Sequence, residues 1–316
     1  MSDSPREPKG ALPSGLTSEE PATSEEGRRE LRAPGDERES GAGRRELRAP
    51  GGERESGAGR RDLRAPGGER ENTVVVGATG TIGQAVIRRL TRRGLPVVAV
   101  ARSKDALDEL AASHELVTPC PADIGSNDAI AAIGSALTGT VRMAVFAAGL
   151  PVRGSADTID PDALAIGSNI KAGGLLRLLH AVRDRLAPGS RFVTFAGSLG
   201  LEPRAHEAGP GAVNAAVFNL MRQISLLYGP RGVTAHTLSP GPADTPRLRR
   251  IAATVAAERG AAEEDVWQEY LAQNSLGRLP TADELAWAVE MLLDPEASVL
   301  HGSVLYLDAG GHRGIG

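Results

Sequence analysis

The chain has 316 residues, with 36 Lys+Arg against 40 Asp+Glu, a net charge of −4 and one cysteine, Cys120. No basic excess is available to neutralise a phosphate backbone, which excludes nucleic acid as the main partner. A single cysteine excludes an internal disulfide framework and a Cys-based zinc cage. No apolar run approaches the roughly 18 residues of a membrane span, and the N-terminal MSDSPREPKG has no hydrophobic signal core, so the expected setting is cytoplasmic and reducing.

Residues 1–72 hold 14 of the basic and 16 of the acidic groups and no aromatic residue. One unit of period 16 occurs three times there: RRELRAPGDERESGAG from Arg28, RRELRAPGGERESGAG from Arg44 and RRDLRAPGGEREN from Arg60. Each copy offers one Leu among balanced charges, so stacking would bury too little to offset ordering the chain. The expectation is a disordered charged tail; a docking arm for an unknown partner is the functional alternative. Folding is expected over residues 73–316, as one domain.

Thr73 to Gly77 (TVVVG) reads as a strand buried on both faces. It runs directly into Gly77-Ala-Thr-Gly80-Thr-Ile-Gly83 and then a helix from Gln84 to Arg93 with Ala85, Val86 and Leu90 inward. Strand, glycine turn and helix in that order form a backbone anion site for a dinucleotide pyrophosphate. Gly77, Thr79, Gly80, Thr81, Ile82 and Gly83 are its expected contacts. Pro96 to Ala101 (PVVAVA) is the second strand, and Arg102-Ser103 follows it where an acid would read a free ribose 2′-hydroxyl. A guanidinium beside a hydroxyl suits a 2′-phosphate, so NADP(H) is the expected cofactor. After a third strand, Asp123 and Ile124 are expected at the adenine pocket. Met143 to Gly149 (MAVFAAG) is the fourth strand, ending in a small-residue turn, Ala148-Gly149, against the cofactor. Cys120 needs no role beyond packing, and the histidines have no spacing partner that suggests a metal.

From here the landmarks resemble, in order, the short-chain dehydrogenase/reductase family across residues 73–316. GATGTIG is similar to its cofactor loop, with Thr81 where glycine is commonest. Asp123-Ile124 resembles the adenine-contacting pair, and FAAG occupies the Asn-Asn-Ala-Gly turn without its asparagines. Asn169, in SNIKAGG, resembles the helix asparagine that holds a water in the proton relay. Ser198, after RFVTFAG, resembles the substrate-orienting serine. Pro240, Gly241 and Thr245 resemble the Pro-Gly loop whose threonine approaches the nicotinamide amide. LGRLPTADELAWAVEMLLDPEASVLHGSVLYLDAGG resembles the C-terminal helix, last strand and terminal glycines. The resemblance implies an α/β, doubly wound Rossmann-type parallel sheet.

The family's chemistry normally uses a tyrosine and, four residues later, a lysine. Sliding PGAVNAAVFNLMRQISLLYGPRG onto that helix puts Pro210 at the tyrosine and Asn214 at the lysine, which resembles an atypical branch lacking the pair. Adding hydride to a neutral carbonyl creates alkoxide charge that the pair would neutralise. His206, oriented by Glu207 or Ser198, is the candidate replacement acid; the alternative is a surface loop with ordinary charges. Lys171 reaches the pocket if its helix turns inward and is otherwise solvated. Trp267 and Tyr270, in DVWQEYLAQ, fall where the family covers its substrate and read as lid contacts.

Two functions remain open at this point. One is an NADP(H)-dependent oxidoreductase acting on a small molecule, with imine or activated alkene favoured over simple ketone. The other is redox-neutral: a cofactor-loaded cyclase or isomerase, or a nucleotide-binding subunit without turnover. The resemblance also implies a homodimer or homotetramer. Ala216, Val217, Leu220, Met221, Ile224, Leu226 and Leu227 support it, being more apolar than one core-facing stripe requires.

Overall fold

The computed structural model describes residues 71–150 and 152–314; the first two repeats and residues 60–70 of the third lie outside them. Seven strands form one parallel sheet in the order β3-β2-β1-β4-β5-β6-β7. They are β1 (Glu71–Val76), β2 (Val97–Ala101), β3 (Val117–Pro121), β4 (Thr140–Phe146), β5 (Arg191–Phe195), β6 (Thr234–Pro240) and β7 (Val304–Leu307). The doubly wound Rossmann-type arrangement expected from the sequence is therefore present. Order reverses between β1 and β4, and in such sheets ligands bind beyond the carboxyl ends of the strands at this reversal.

The near-continuous apolar runs are explained by burial on both faces. On one side Val74, Val76, Val100, Ala144 and Phe146 pack against α3 (Asp128–Ala136), α5 (Gly174–Val182) and α6 (Ala208–Tyr228) through Ile133, Leu178, Val217 and Met221. On the other, Val75, Ala99, Val145 and Val193 pack against α1 (Thr81–Arg92), α2 (Lys104–Ala112) and α9 (Ala282–Met291) through Val86, Leu107 and Leu285. Between β6 and α9, α7 (Pro246–Arg259) and α8 (Glu263–Ala272) build a small core of their own around Ala252, Val266 and Trp267.

Several boundaries differ from the sequence reading. β1 starts at Glu71 because Glu71 and Asn72 pair with Thr140 and Val141, and the Asn72 amide donates to the Thr138 and Thr140 carbonyls. β4 stops at Phe146, leaving Ala147 to Gly149 as the turn beyond it. α1 begins at Thr81 rather than Gln84, inside the glycine motif itself. β3 carries Pro119 and Pro121, which lack the amide hydrogen a central strand needs; its place at the sheet edge accommodates them.

Between α4 (Pro161–Ser168) and α5 the helix does not run on regularly. Asn169–Gly173 forms a π-turn, an inserted residue that rotates every side chain around it.

Candidate active site

Beyond β1 the chain turns at Gly77, whose φ of +84° favours glycine and whose position lets the turn lie against the Ala147 and Ala148 backbone; a Cβ there would sit 2.8 Å from it. Gly80 precedes α1 with no side-chain cap, and the Gln84 amide is bonded to the Gly80 carbonyl at 2.9 Å. The amides of Thr81, Ile82 and Gly83 therefore lie ahead of that bond, at a helix start with no acidic residue in its first turn. That is the setting an anion fits. Thr79 is half-buried, its carbonyl held by the Gln84 side chain at 3.0 Å. The turn leaves a backbone cradle that side chains do not fill, so these residues fit a pyrophosphate.

At the end of β2, Arg102 is exposed and makes no hydrogen bond or ion pair with any described residue. Ser103 caps α2, accepting from the Ala106 amide at 3.3 Å, while the Lys104 ammonium is engaged by Asp108. Of the three, Arg102 is the cation without a partner among the described residues, and the Ser103 hydroxyl, which only accepts in the cap, keeps its hydrogen to donate. Asp123 is exposed and accepts from the Gly125 amide at 2.9 Å. Ile124 is 8 % exposed, with its side chain packed in the core.

The ends of β4 and β5 carry the second half of the site. Ala148 is buried and Gly149 exposed, with the Arg247 guanidinium lying over the glycine and donating to the Leu150 carbonyl. Ser198, half-buried, opens a short turn over Ser198–Gly200. On α6, Pro210 occupies the first helical turn, where no amide donor is required of it. Asn214 stands one turn further and is 6 % exposed. Its Nδ2 donates to the Pro210 carbonyl at 2.9 Å, and its Oδ1 is buried without a partner.

One expected assignment is overturned here and one open alternative is decided. Asn169 is exposed, its Nδ2 donating to the Gly125 carbonyl at 2.8 Å and its Oδ1 accepting from Arg177 at 2.7 Å. Its backbone carbonyl also accepts from Arg177, at 3.0 Å, so the residue faces the outside and its polar groups are committed away from the strand ends. Lys171 turns inward instead and is only 6 % exposed, which removes the solvated alternative. Its Nζ donates to the Phe195 carbonyl at 2.7 Å and the Ala148 carbonyl at 3.1 Å, and lies 5.6 Å from the centre of the Phe146 ring. Burial, with a smaller contribution from Arg247, brings its pKa down to about 8. The flanking small residues were the sequence signal: Gly174 rests against Ile124 and Phe146, where a Cβ would come within 3.0 and 3.1 Å.

His206 is exposed, and neither proposed partner orients it. Glu207 faces Arg153 at 3.6 Å, which leaves the bland reading of this loop the better supported. Past β6, Pro240 and Gly241 are half-buried; Gly241 lies against Asp308, with a Cβ there meeting the Asp308 Cβ at 3.1 Å. Thr245 caps α7, its hydroxyl accepting from the Leu248 amide at 3.3 Å. Trp267 is buried in the α7–α8 core with Tyr270 edge-on at 6.4 Å, a packing contact within that segment. Arg247 was not anticipated; nothing in its local pattern separates it from the neighbouring arginines of RLRR. Among the described residues no three His, Cys, Asp or Glu side chains gather as a metal site, and no helix is long and apolar enough to cross a membrane.

The family model described as Enoyl-(Acyl carrier protein) reductase matches residues 77–312. Cis-4-hydroxycyclohexanecarboxylate dehydrogenase of Sinomonas cyclohexanicum is 29 % identical over 249 residues, covering 75 % of this chain and 94 % of that protein. The 3-oxoacyl-(acyl-carrier-protein) reductase of Salmonella typhimurium is 26 % identical over 243 residues, covering 75 % and 95 %. Among solved structures, the short-chain dehydrogenase/reductase (glucose/ribitol dehydrogenase) of Brucella melitensis superimposes with a TM-score of 0.69 at 24 % identity, covering 78 % of this chain and 97 % of the other. L-sorbose reductase of Gluconobacter frateurii, solved with NADPH and L-sorbose, gives 0.71 at 19 % identity, covering 78 % and 98 %.

Proposed function

The chain belongs to the short-chain dehydrogenase/reductase family, and on that footing we propose that it is an NADP(H)-dependent oxidoreductase that works on a small molecule without the family's tyrosine and lysine. The observation that carries this reading is the combination of an open glycine cradle at Gly77–Gly83 with Pro210 and Asn214 on the helix beside the β5 end. A positioned proton donor contributes on the order of 100- to 10,000-fold to such reactions, and proline has no ionisable group. An iminium ion already carries its charge, and an activated alkene takes its proton at carbon in a later step, so either tolerates Pro210 better than a neutral ketone.

When bound, the dinucleotide would supply or accept the hydride. The chain's own residues do the rest. The amides of Thr81, Ile82 and Gly83 hold the pyrophosphate, Arg102 meets the 2′-phosphate, and the turns at Ala148–Gly149 and Pro240–Gly241 flank the nicotinamide end. Ser198 offers a hydroxyl to the substrate from the end of β5, and the α7–α8 segment with Trp267 restricts water.

The test is NADPH oxidation by the full-length protein with cyclic imines, enones and simple ketones. Turnover of imine or enone at least about tenfold above ketone is expected; ketones turned over as fast would overturn the reading. NADPH bound but consumed with no member of the panel would favour the redox-neutral alternative.

Assembly gives a further expected result. Leu226 and Leu227 are 63 % and 67 % exposed on α6, and Ala216 shares their outward exposure. Uncovered leucines side by side on the outer face of this helix support a second copy as their cover. Light scattering should find a dimer or tetramer, and Leu226→Asp/Leu227→Asp should shift it towards monomer with nucleotide binding retained; a wild-type monomer at micromolar concentration would contradict this.

A further inference from the structure

We propose that Lys171 is the cation of this cleft, supplied from the π-turn rather than from α6, and that its charge makes the cleft favour the reduced over the oxidised dinucleotide. The proposal rests on the reading of the cleft as an NADP(H) site and adds to it which form the cleft holds: the reduced form occupies it first, and the oxidised form leaves it more readily.

Burying an ammonium without a carboxylate partner is costly, and no described carboxylate pairs with Lys171. Two of its three donors are taken by the Ala148 and Phe195 carbonyls, and the third has no acceptor among the described residues. Asn214 is its complement: equally buried, with Oδ1 unpartnered. Both flank the same strand end, because Asn214 Nδ2 lies 3.2 Å from where a Gly197 Cβ would be, two residues past Phe195. An unpartnered donor and an unpartnered acceptor beside the β4 and β5 ends are what a ligand hydroxyl or ordered water would satisfy. A neutral donor would serve packing alone equally well.

The surroundings allow the charge to be felt. Arg247, from α7, is the charged group that acts on Lys171. β4 and β5 present Phe146, Ala148 and Phe195, and α6 presents Pro210 and Asn214, none of them titratable. On its own helical run, Arg177 is engaged with Asn127, Ile124 and Asn169, His180 is exposed, and Asp162 stands at the exposed start of α4. With a pKa near 8, Lys171 is mostly protonated at pH 7 and mostly neutral by pH 9.5. The oxidised nicotinamide ring carries one positive charge that the reduced ring lacks. Repulsion from Lys171 therefore penalises the oxidised form below pH 8 and fades above it.

The experiment measures the dissociation constants of NADP+ and NADPH for the full-length protein from pH 6.5 to 9.5 by calorimetry, so that contributions common to the two forms cancel in their ratio. The ratio of the NADP+ constant to the NADPH constant should fall by about tenfold across that range, the size expected for a unit charge roughly 12 Å away at an effective dielectric of about 20. In Lys171→Met it should be low and flat. In Lys171→Arg, which stays charged throughout, it should be high and flat, and this variant with the wild type decides the matter if the methionine variant does not fold. A flat wild-type ratio while both forms bind overturns the proposal and leaves the nucleotide reading standing. A pH dependence that persists in Lys171→Met assigns the titration elsewhere and also overturns it. Failure of both forms to bind at any pH overturns the nucleotide reading, and the proposal with it.

Discussion

Replacing Gly83 with alanine is expected to lower the melting temperature by roughly 6–12 °C and to abolish nucleotide binding. A Cβ at Gly83 would lie 2.2 Å from the Gly77 carbonyl oxygen and 2.9 Å from its carbon. Both are backbone atoms of the turn, and Gly77 in turn packs against Ala147 and Ala148, so neither side can retreat without moving β1 or β4. Overpacking of this kind costs about 3 kcal/mol, which for a domain of this size corresponds to that temperature shift. Gly80→Ala is the control. Its Cβ would meet the same oxygen at 3.3 Å from a φ of −77°, open to any residue, so its melting temperature should stay within a few degrees of wild type. Thermal denaturation followed by circular dichroism separates the two, and a Gly83→Ala protein melting with wild type would show that the helix start is not held against the turn.

The second large effect is on nucleotide choice. Arg102→Ala should weaken NADPH binding by about 10- to 100-fold and leave NADH within about threefold, the loss expected for charge-assisted hydrogen bonds to one phosphate. The geometry concentrates the charge on this residue, since Lys104 is engaged by Asp108 and Ser103 can add only a neutral hydroxyl donor. Parallel titrations of wild type and variant read it directly. Equal wild-type affinity for NADH and NADPH, or an unchanged NADPH affinity in the variant, would remove Arg102 from the site.

Part of this architecture is legible in the linear chain because the signals are local. The runs TVVVG and PVVAVA are strands because β-branched and small apolar residues without polar alternation fit a sheet covered on both faces, and Thr73 to Val76 and Val97 to Ala101 of them lie in β1 and β2. The glycine spacing at 77, 80 and 83 is a local requirement of backbone on backbone, so the turn could be placed without knowing what packs around it. The occupants of positions 210 and 214 follow from one helix phase and are equally readable; both lie on α6 in the structure.

The tertiary structure decided which side chains face the cleft. Asn169 and Lys171 are two residues apart, and in a run whose hydrogen-bond register changes, sequence spacing no longer tells which of them points inward. The answer came from distant partners: Arg177 and Gly125 hold Asn169 outside, while Gly174 packs close enough to Ile124 and Phe146 to carry Lys171 to the strand ends. The same holds for Glu207, drawn to Arg153 rather than His206, and for Arg247, which reaches the Leu150 carbonyl from 97 residues away. The chain by itself determined its backbone plan and the presence of Pro210 and Asn214 on α6, because those depend on residue type and near-neighbour spacing. Where its charges sit depends on long-range packing and helix phase, and only the folded chain settles that.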